Sequence, residues 1–324
     1  MGRLVLIRRD QVLQGGQPLA FLIGIFSALL IGILLLAVSG HDALAVYERM
    51  FDASIGSSKA WSLTLNRAVP LGLAGLAVAV AGRMGLWNIG AEGQILAGAM
   101  MAAWVARIGE SWPSPLLITV MLLAAVLGGA LLGLGPAVAR AQIGVNEIIT
   151  TLMLNEVALR MLQWLIHGPW KDPESRGFPL APILPEGARL PGLFQQAHWG
   201  AVIALLVIIL FGLVASRTAW GYELRVAGSS GATALYAGIS LKRKILTVLV
   251  LSGGIAGLAG GIELSGSSDR IVEGISGGYG FAGIIVAALA LMRPSGVAAV
   301  ALLFGAVQVG GLSIQTMGVS SSVS

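Results

Sequence analysis

The chain has 324 residues, of which 56% are hydrophobic and 11% are charged, and its formal net charge is +5 at pH 7. A soluble domain carries roughly 25% charged residues, so a chain this long with less than half of that fraction cannot cover itself with polar surface. The composition therefore predicts a membrane protein, and the lack of cysteine excludes disulfide bonds and thiolate metal sites. The positive charge is better explained by loop lysines and arginines that orient helices than by a nucleic-acid partner.

Apolar stretches long enough to cross a bilayer recur along the chain. About 20 apolar residues span a hydrocarbon core of roughly 30 Å. Nine candidate stretches lie at residues 19–38, 62–81, 91–108, 116–138, 146–166, 199–215, 245–264, 279–291 and 295–313. The stretch at 279–291 is short, which predicts a re-entrant or broken helix. We therefore expect an all-α integral membrane protein, a polytopic helical bundle with about nine spans, in which residues 1–324 form a single transmembrane domain.

The basic residues between these stretches predict a cytoplasmic N-terminus. Lysines and arginines are more frequent in the loops that this orientation places inside, mainly in the clusters at residues 3–9 and 242–244. Arg8 and Arg9, which precede the first apolar stretch, could also begin a signal peptide. That stretch has about 20 residues, whereas the apolar region of a signal peptide has about 7–15, so we expect an uncleaved first helix.

Residues 167–198 form one of two long connections. They contain six prolines, a density that excludes a continuous helix, and the orientation makes them a periplasmic loop. The three histidines, His41, His167 and His198, all fall near the outside ends of predicted spans. We interpret them as residues of the membrane interface rather than as metal ligands.

Residues 216–244 form the longest inside loop. They predict a short helix at about 230–237, bounded by Gly228 and Gly238. A plain connector needs only a few polar residues, whereas this loop has an apolar face of its own. Docking to a cytoplasmic partner is therefore favoured over a simple connection, with an apolar face formed by Ala232, Leu235 and Tyr236.

Polar and charged residues at membrane depth are the candidates for a functional site. Each is costly in a bilayer unless it is paired or faces a water-filled cavity. Glu156 and Arg160 lie one helical turn apart and can pair with each other. Asn146 and Glu147 can cap the start of a helix, and the amide of Asn155 can both donate and accept, which suits a polar uncharged solute. We predict a translocation pathway lined by Asn88, Glu92, Gln94, Asn146, Glu147 and Asn155.

Motifs typical of enzymes occur without their context. Residues 278–283 spell GxGxxG, but they lack the preceding strand and the βαβ unit that give this pattern its meaning. No GxxxxGK[ST] phosphate loop is present, so we expect the chain itself neither to bind nor to hydrolyse ATP. We assign no catalytic residue and no metal site. Gly253, Gly257 and Gly261 instead form a small-residue stripe that lets membrane helices pack closely.

Several segments resemble ABC importer permeases of the branched-chain amino acid/ribose/nucleoside type. Residues 85–94, Gly-Leu-Trp-Asn-Ile-Gly-Ala-Glu-Gly-Gln, contain the Asn-Ile-Gly-x-Glu-Gly-Gln pattern of those permeases. Residues 144–155 look like their next shared segment, and residues 221–228 and 234–239 resemble the cytoplasmic loop that docks on the ATPase. The resemblance extends over about residues 60–294. The first two segments look most like the nucleoside (purine) uptake subgroup.

The resemblance implies a type II ABC importer-like permease fold of about ten spans, so the last helix, which returns to the cytoplasm, would be absent from this sequence. It implies a subunit without chemistry or cofactors of its own, with ATP and Mg²⁺ held by a separate, duplicated ATPase subunit. The other expected partners are a second, different permease subunit, a periplasmic or lipoprotein substrate-binding protein, and lipids of the bacterial inner membrane. The residues expected to dock on the ATPase are Glu223, Arg225, Gly228, Ala232, Leu235, Tyr236 and Gly238, flanked by the basic residues 242–244.

Nucleoside uptake is the expected function, and two alternatives stay open. A permease of the same family could carry a simple sugar or a branched-chain amino acid, because specificity in this class resides largely in the binding protein. An ion-coupled secondary transporter would need no docking loop and would often carry a carboxylate pair for the coupling ion. The loop at residues 216–244 argues against that second alternative.

Overall fold

The computed structural model describes residues 16–175 and 178–315. In that part of the chain the α-helices are α1 (Gly16–Val38), α2 (Ala43–Ile55), α3 (Ser58–Gly82), α4 (Ala91–Ile108), α5 (Ser114–Val138), α6 (Glu147–His167), α7 (Gly200–Arg217), α8 (Ala219–Ser229), α9 (Gly231–Tyr236), α10 (Leu241–Ile262), α11 (Tyr279–Leu289) and α12 (Pro294–Ile314). Short π-helical segments extend α5 (Ala139–Ile143) and α10 (Glu263–Ser267). The basic cluster at residues 3–9, which supported the predicted orientation, lies outside the described residues.

Each of the nine predicted apolar stretches coincides with a helix, namely α1, α3 to α7, and α10 to α12. Five of these helices, α3, α5, α7, α10 and α12, are long and apolar enough to cross a membrane. The shorter apolar helices are the Leu22–Val38 part of α1 and α11. Helices α4 and α6, with 18 and 21 residues, have comparable lengths and contain the polar residues of the candidate site. The prediction of a multi-pass, helical membrane protein is confirmed.

The described residues 16–53 and 310–315 belong to one compact unit. Within it, Leu36, Val46 and Ile314 form a small apolar cluster, and the Tyr47 hydroxyl donates to the Leu29 carbonyl at 3.0 Å. Helix α2 lies between the first two predicted spans, where the sequence analysis predicts no helix. It is helical because the residues that it turns inward, the buried Val46 and the partly buried Ala43, Tyr47 and Met50, recur at a helical spacing.

The other compact unit, residues 54–309, contains the largest apolar core. Helix α10 packs tightly on α4 and α5 because small residues line both contacts. A Cβ on Gly98 of α4 would overlap the backbone of Gly257, and a Cβ on Gly129 of α5 would overlap that of Gly253. The predicted small-residue stripe on α10 is therefore confirmed as a close packing surface. The assignment of residues 1–324 to a single transmembrane domain stays a prediction.

Helix α11 has only 11 residues, which agrees with the short helix predicted at this place. Gly277 and Gly278 precede it with φ values of 54° and 73°, where a side chain would be strained. After it, Leu291 and Met292 both have a φ of 54°, which is uncommon for residues with a side chain. These two turns fix both ends of α11, and α12 begins immediately afterwards at Pro294.

The connection between α6 and α7 contains no α-helix in its described part, as its prolines predict. A 3₁₀ turn (Glu186–Ala188) is followed by a two-stranded antiparallel hairpin of β1 (Gly192–Phe194) and β2 (Ala197–His198). The loop also bonds to the segment between α10 and α11. The N–H groups of Leu184 and Leu190 donate to the carbonyls of Asp269 (2.7 Å) and Ser265 (2.8 Å). The two connections thus form one layer at the same end of the helices.

Candidate functional site

Asn88 lies at the centre of the polar turn between α3 and α4 and is fully buried. Its Nδ2 donates to Gln94 Oε1 and to Ser252 Oγ, both at 2.7 Å, and its Oδ1 accepts from the Gly90 N–H at 3.0 Å. Ser252 of α10 donates in turn to the Ala77 carbonyl of α3 at 2.6 Å. The amide of Asn88 therefore joins α3, α4 and α10 through buried hydrogen bonds, which are costly to break.

Glu92, in the first turn of α4, contacts the N-terminal end of α11. Its Oε2 accepts from the Gly280 N–H at 2.7 Å. The Ser276 hydroxyl and the N–H groups of Gly278 and Phe281 contribute further hydrogen bonds to the same carboxylate. The first N–H groups of a helix lack partners within the helix and carry partial positive charge, which favours a carboxylate there. Glu92 thus caps α11 from a neighbouring helix.

Asn155 holds the same turn from the side of α6. Its Oδ1 accepts from the Gly93 N–H at 2.8 Å, and its Nδ2 donates to the Ile89 carbonyl at 2.9 Å. Both groups of the amide are therefore used by the backbone that surrounds Glu92. A side chain without this pair of donor and acceptor atoms would leave two buried backbone groups unsatisfied.

The start of α6 is organised by the two residues that the sequence suggested as caps. Asn146 is the N-cap, and its Oδ1 accepts from the Ile148 N–H at 2.9 Å. Glu147 is buried and forms an ion pair with Arg140 (Nε to Oε2, 3.2 Å). It also accepts a hydrogen bond from the Trp87 N–H at 3.3 Å. The capping prediction for Asn146 is confirmed.

Helix α6 exposes a face that combines charged and apolar residues. Arg160 and Glu156 form an ion pair (Nη2 to Oε1, 2.6 Å) with side chains 68% and 58% exposed, which confirms the predicted pairing. Arg160 also donates to Gln163 Oε1 (3.0 Å), and Gln163 donates to Glu273. The other exposed residues of this face are Met153, Val157, Met161 and Trp164. Near the middle of a helix that is predicted to cross the membrane, we expect an exposed ion pair to face water or another protein subunit, because exposure to lipid would be costly.

The segment between α7 and α10 consists of two short helices. The predicted helix at 230–237 is found as α9, and Ser230 caps it by accepting from the Thr233 N–H at 3.2 Å. Leu235 and Tyr236 project from α9 and are 63% and 96% exposed. Ala232 is exposed as well, whereas Ala234 is buried. The predicted apolar docking face is therefore free within the described chain, and Gly238, with a φ of 75°, ends it.

Helix α8, which the sequence analysis missed, supports this segment. Glu223 forms an ion pair with Lys244 of α10, so Lys244 is not free to face a partner as predicted. Arg225 Nη1 donates to the Ala215 carbonyl of α7 at 2.6 Å. Gly228 lies in the last turn of α8 rather than at the boundary of α9, and a Cβ there would overlap the Arg83 carbonyl.

Comparison with known proteins assigns the chain to a family. The family described as "Branched-chain amino acid transport system / permease component" matches residues 61–322. The chain belongs to this permease family. The chain is 37% identical over 303 residues to the glucose ABC transporter permease protein TsgB13 of Haloferax volcanii, which covers 90% of this chain and 79% of that protein.

Two further relatives are named for nucleosides. The guanosine ABC transporter permease protein NupP of Bacillus subtilis is 33% identical over 301 residues, 90% of this chain and 85% of that protein. The nucleoside ABC transporter permease protein NupB of Lactococcus lactis is 29% identical over 312 residues, 93% of this chain and 86% of that protein. The chain is therefore a permease of the ABC transporter class, a transporter subunit rather than an enzyme.

The permease brings five of the six predicted pathway residues together. Asn88, Glu92, Gln94 and Asn155 surround the turn before α4, and Glu147 reaches the same turn through the Trp87 N–H. Asn146 caps the start of α6 instead. A direct role in the pathway stays a prediction for all six. The sequence analysis missed the partners on α10 and before α11, Ser252 and Ser276. The sequence did contain one signal for the contact of Glu92. The glycines at 277–283 begin a short apolar stretch, which indicates a helix whose N-terminal N–H groups can bind a carboxylate.

Acid sensitivity is expected from His198 in β2. The imidazole is buried, its Nδ1 accepts from the Gly200 N–H at 3.1 Å, and burial lowers its pKa to about 4. In the unfolded chain the imidazole binds a proton near pH 6.5, whereas in the folded chain it stays neutral down to about pH 4. The contribution of the neutral His198 to the free energy of unfolding is therefore fully present above about pH 6.5, and it is lost as the pH falls towards 4. At pH 5 the expected loss is about 2 kcal/mol relative to pH 7.5.

The measurement is the thermal unfolding midpoint of the purified permease at pH 7.5 and pH 5. The His198→Gln variant should show a smaller decrease between the two values than the wild type. His167→Gln, which changes an exposed histidine at the end of α6, serves as the control and should retain the wild-type decrease. Equal decreases in all three proteins would assign the acid sensitivity to other groups.

Proposed function

We propose that this permease is the membrane-spanning subunit of an ATP-driven importer for nucleosides in a bacterial inner membrane, with its N-terminus in the cytoplasm. A separate, duplicated ATPase binds ATP and Mg²⁺, a second and different permease subunit completes the pathway, and a binding protein delivers the solute from outside. Two relatives named for guanosine and nucleosides support this cargo. The missing phosphate loop supports ATP hydrolysis in another chain.

The main structural support for a transport function is the exposed polar face of α6. Glu156 and Arg160 lie near the middle of α6, a predicted span, and they are paired with each other at the surface of the chain rather than inside its core. A second permease subunit opposite this face would enclose a polar path, so that neither charge would face lipid. In this arrangement Asn88, Glu92 and Asn155, which are buried around the turn before α4, hold in place the helices on which α6 packs.

The cargo is tested by uptake into proteoliposomes that contain the permease with its ATPase, second permease subunit and binding protein. We expect the vesicles to accumulate a labelled nucleoside. This accumulation should require ATP on the side of the membrane that holds the ATPase, and it should not require an ion gradient. Glucose uptake in place of nucleoside uptake would favour a sugar permease, the second candidate that the Haloferax volcanii relative supports. Uptake that follows an ion gradient without ATP would exclude the ABC importer mechanism.

The pathway is tested by thiol labelling, because the natural chain has no cysteine. Single cysteines replace Met153 and Val157 on the exposed face of α6, and Leu206, which is exposed on α7, is the control position. In the assembled transporter a membrane-impermeant thiol reagent should react with the two α6 cysteines at least about tenfold faster than with the α7 cysteine, since ionised thiolate forms in water. Solute should slow only the α6 reactions. Equal rates at all three positions would contradict a pathway along α6.

A further inference from the structure

A groove between α7 and α12 ends at a cluster of arginines. The cavity at this end has a volume of about 580 Å³. Its polar lining includes Arg83 after α3, Ser216 near the end of α7, and Arg293 and Ser295 at the start of α12. Its other walls are mainly apolar side chains of α7 and α12, among them Leu205, Ile208, Ile209, Leu213 and Ala298.

Backbone geometry brings the arginines together. The turn before α12, with Leu291 and Met292 at positive φ, packs on the last residue of α3, where a Cβ on Gly82 would lie 2.9 Å from Met292 Sδ. This contact places Arg293 beside Arg83. Strained backbone of this kind persists only where the surroundings impose it, and it is frequent at functional sites.

The positive charges of this cluster are not balanced within the described chain. Neither Arg83 nor Arg293 has an acidic partner within ion-pair distance among the described residues, and the buried Nε of Arg83 has no hydrogen-bond partner there. Burial and the guanidinium groups of Arg225 and Arg293 lower the pKa of Arg83. Buried donors and neighbouring like charges are costly without an anion, so the cluster is suited to binding one.

The groove continues beyond the arginines as a purely apolar cavity. A second cavity of about 270 Å³ shares Leu205, Ile208 and Ala298 with the first and is lined by side chains without charge or hydrogen-bonding groups. A soluble phosphate or an acidic protein loop would use the arginines but leave this apolar part empty. A molecule with an anionic head and a long apolar chain matches both parts.

We propose that this groove binds one anionic phospholipid of the inner leaflet, with its phosphate between Arg83 and Arg293 and an acyl chain along α7 and α12. The choice of leaflet rests on the proposed orientation, which places the α7–α10 loop in the cytoplasm. Basic pockets between membrane helices on that side are suited to anionic headgroups. Because Gly228 of α8 packs on the Arg83 carbonyl, the headgroup site adjoins the helices of the proposed docking segment.

The test is native mass spectrometry of the purified full-length permease titrated with phosphatidylglycerol or phosphatidylcholine. Arg83→Gln with Arg293→Gln removes the headgroup contacts, and Arg217→Gln with Lys242→Gln removes two exposed charges outside the cavity as the matched control. We expect the first pair to weaken phosphatidylglycerol binding about tenfold or more, and the control pair to weaken it less than about threefold. Ala298→Phe, which keeps every charge and fills the junction of the two cavities, should weaken binding of the same lipid as well.

Three results would overturn the proposal. Equal losses in the cavity pair and the control pair would show general attraction to basic residues. Unchanged binding in Ala298→Phe would show that no acyl chain occupies the groove, a result that does not depend on whether the arginine variants fold. Displacement of the lipid by inorganic phosphate, or by the purified ATPase, would assign the arginines to a soluble anion or to acidic groups of that partner.

Discussion

Replacement of Glu92 by leucine is expected to abolish solute uptake by the assembled transporter. The substitution removes the carboxylate that accepts from Gly280 at 2.7 Å and from three further donors at or just before the start of α11. Each buried donor left without a partner costs about 1–3 kcal/mol, so α11 should shift or fray at this end. We expect a decrease in uptake of at least about a hundredfold and a lower thermal unfolding midpoint.

Two further variants separate a capping role from direct contact with solute. Glu92→Gln keeps one acceptor oxygen and should retain part of both uptake and thermal stability. Glu110→Leu, which changes an exposed carboxylate just after α4, is the control and should leave both unchanged. If Glu92→Gln instead raised the KM for solute at an unchanged unfolding midpoint, Glu92 would contact solute, as the sequence analysis predicts. Normal uptake in Glu92→Leu would exclude both roles.

The helices could be predicted from the sequence because apolar runs of membrane length leave few alternatives. Helix α11 was recognisable as unusual by its length alone. Helix α2 was missed because its 13 residues are too few to span a bilayer and include Glu48, Arg49 and Asp52. Helix α8 was missed for a related reason, because its sequence contains no continuous apolar stretch and is therefore typical of a loop between membrane helices.

The residue types of the candidate site were also predictable, but their partners were not. Glu92 and Gly280 are 188 residues apart, and Asn88 and Ser252 are 164 residues apart. A single sequence shows that a polar group at membrane depth needs a partner, but it does not show which distant segment supplies one. Pairs within one helical turn, such as Glu156 with Arg160, are the exception because the helix itself fixes their distance.

The orientation of α6 is a second property that the sequence left open. Thr151, Asn155, Ala158 and Leu162 are buried, whereas Met153, Glu156 and Arg160 are exposed. Both faces contain apolar and polar residues, so the pattern of hydrophobicity alone does not indicate which one packs inside. The packing of α4 against α6 decides it, because Gly93 allows the backbone of Asn155 to approach closely.

Simultaneous replacement of Leu235 and Tyr236 by aspartate is expected to release the ATPase from the transporter. Both side chains are exposed on α9, Leu235 to 63% and Tyr236 to 96%. If they fill a groove in the ATPase, as helix-in-groove docking requires, two carboxylates would have to be buried there without partners. We expect a loss of affinity of at least about a hundredfold. The membrane helices should fold normally, because neither residue belongs to the core.

The decisive measurements are co-purification of the ATPase and ATP hydrolysis stimulated by the binding protein in liposomes. Phe178→Asp with Ile183→Asp is the matched control, since it introduces two charges at exposed apolar positions of the α6–α7 connection. That variant should co-purify with the ATPase as the wild type does, because the connection is predicted to lie on the periplasmic side. Wild-type co-purification and hydrolysis in the Leu235/Tyr236 variant would remove α9 from the coupling mechanism. The π-helical turn Ala139–Ile143 between α5 and α6 would then be the next candidate, because it lies on the same predicted side and its Ile143 is 76% exposed.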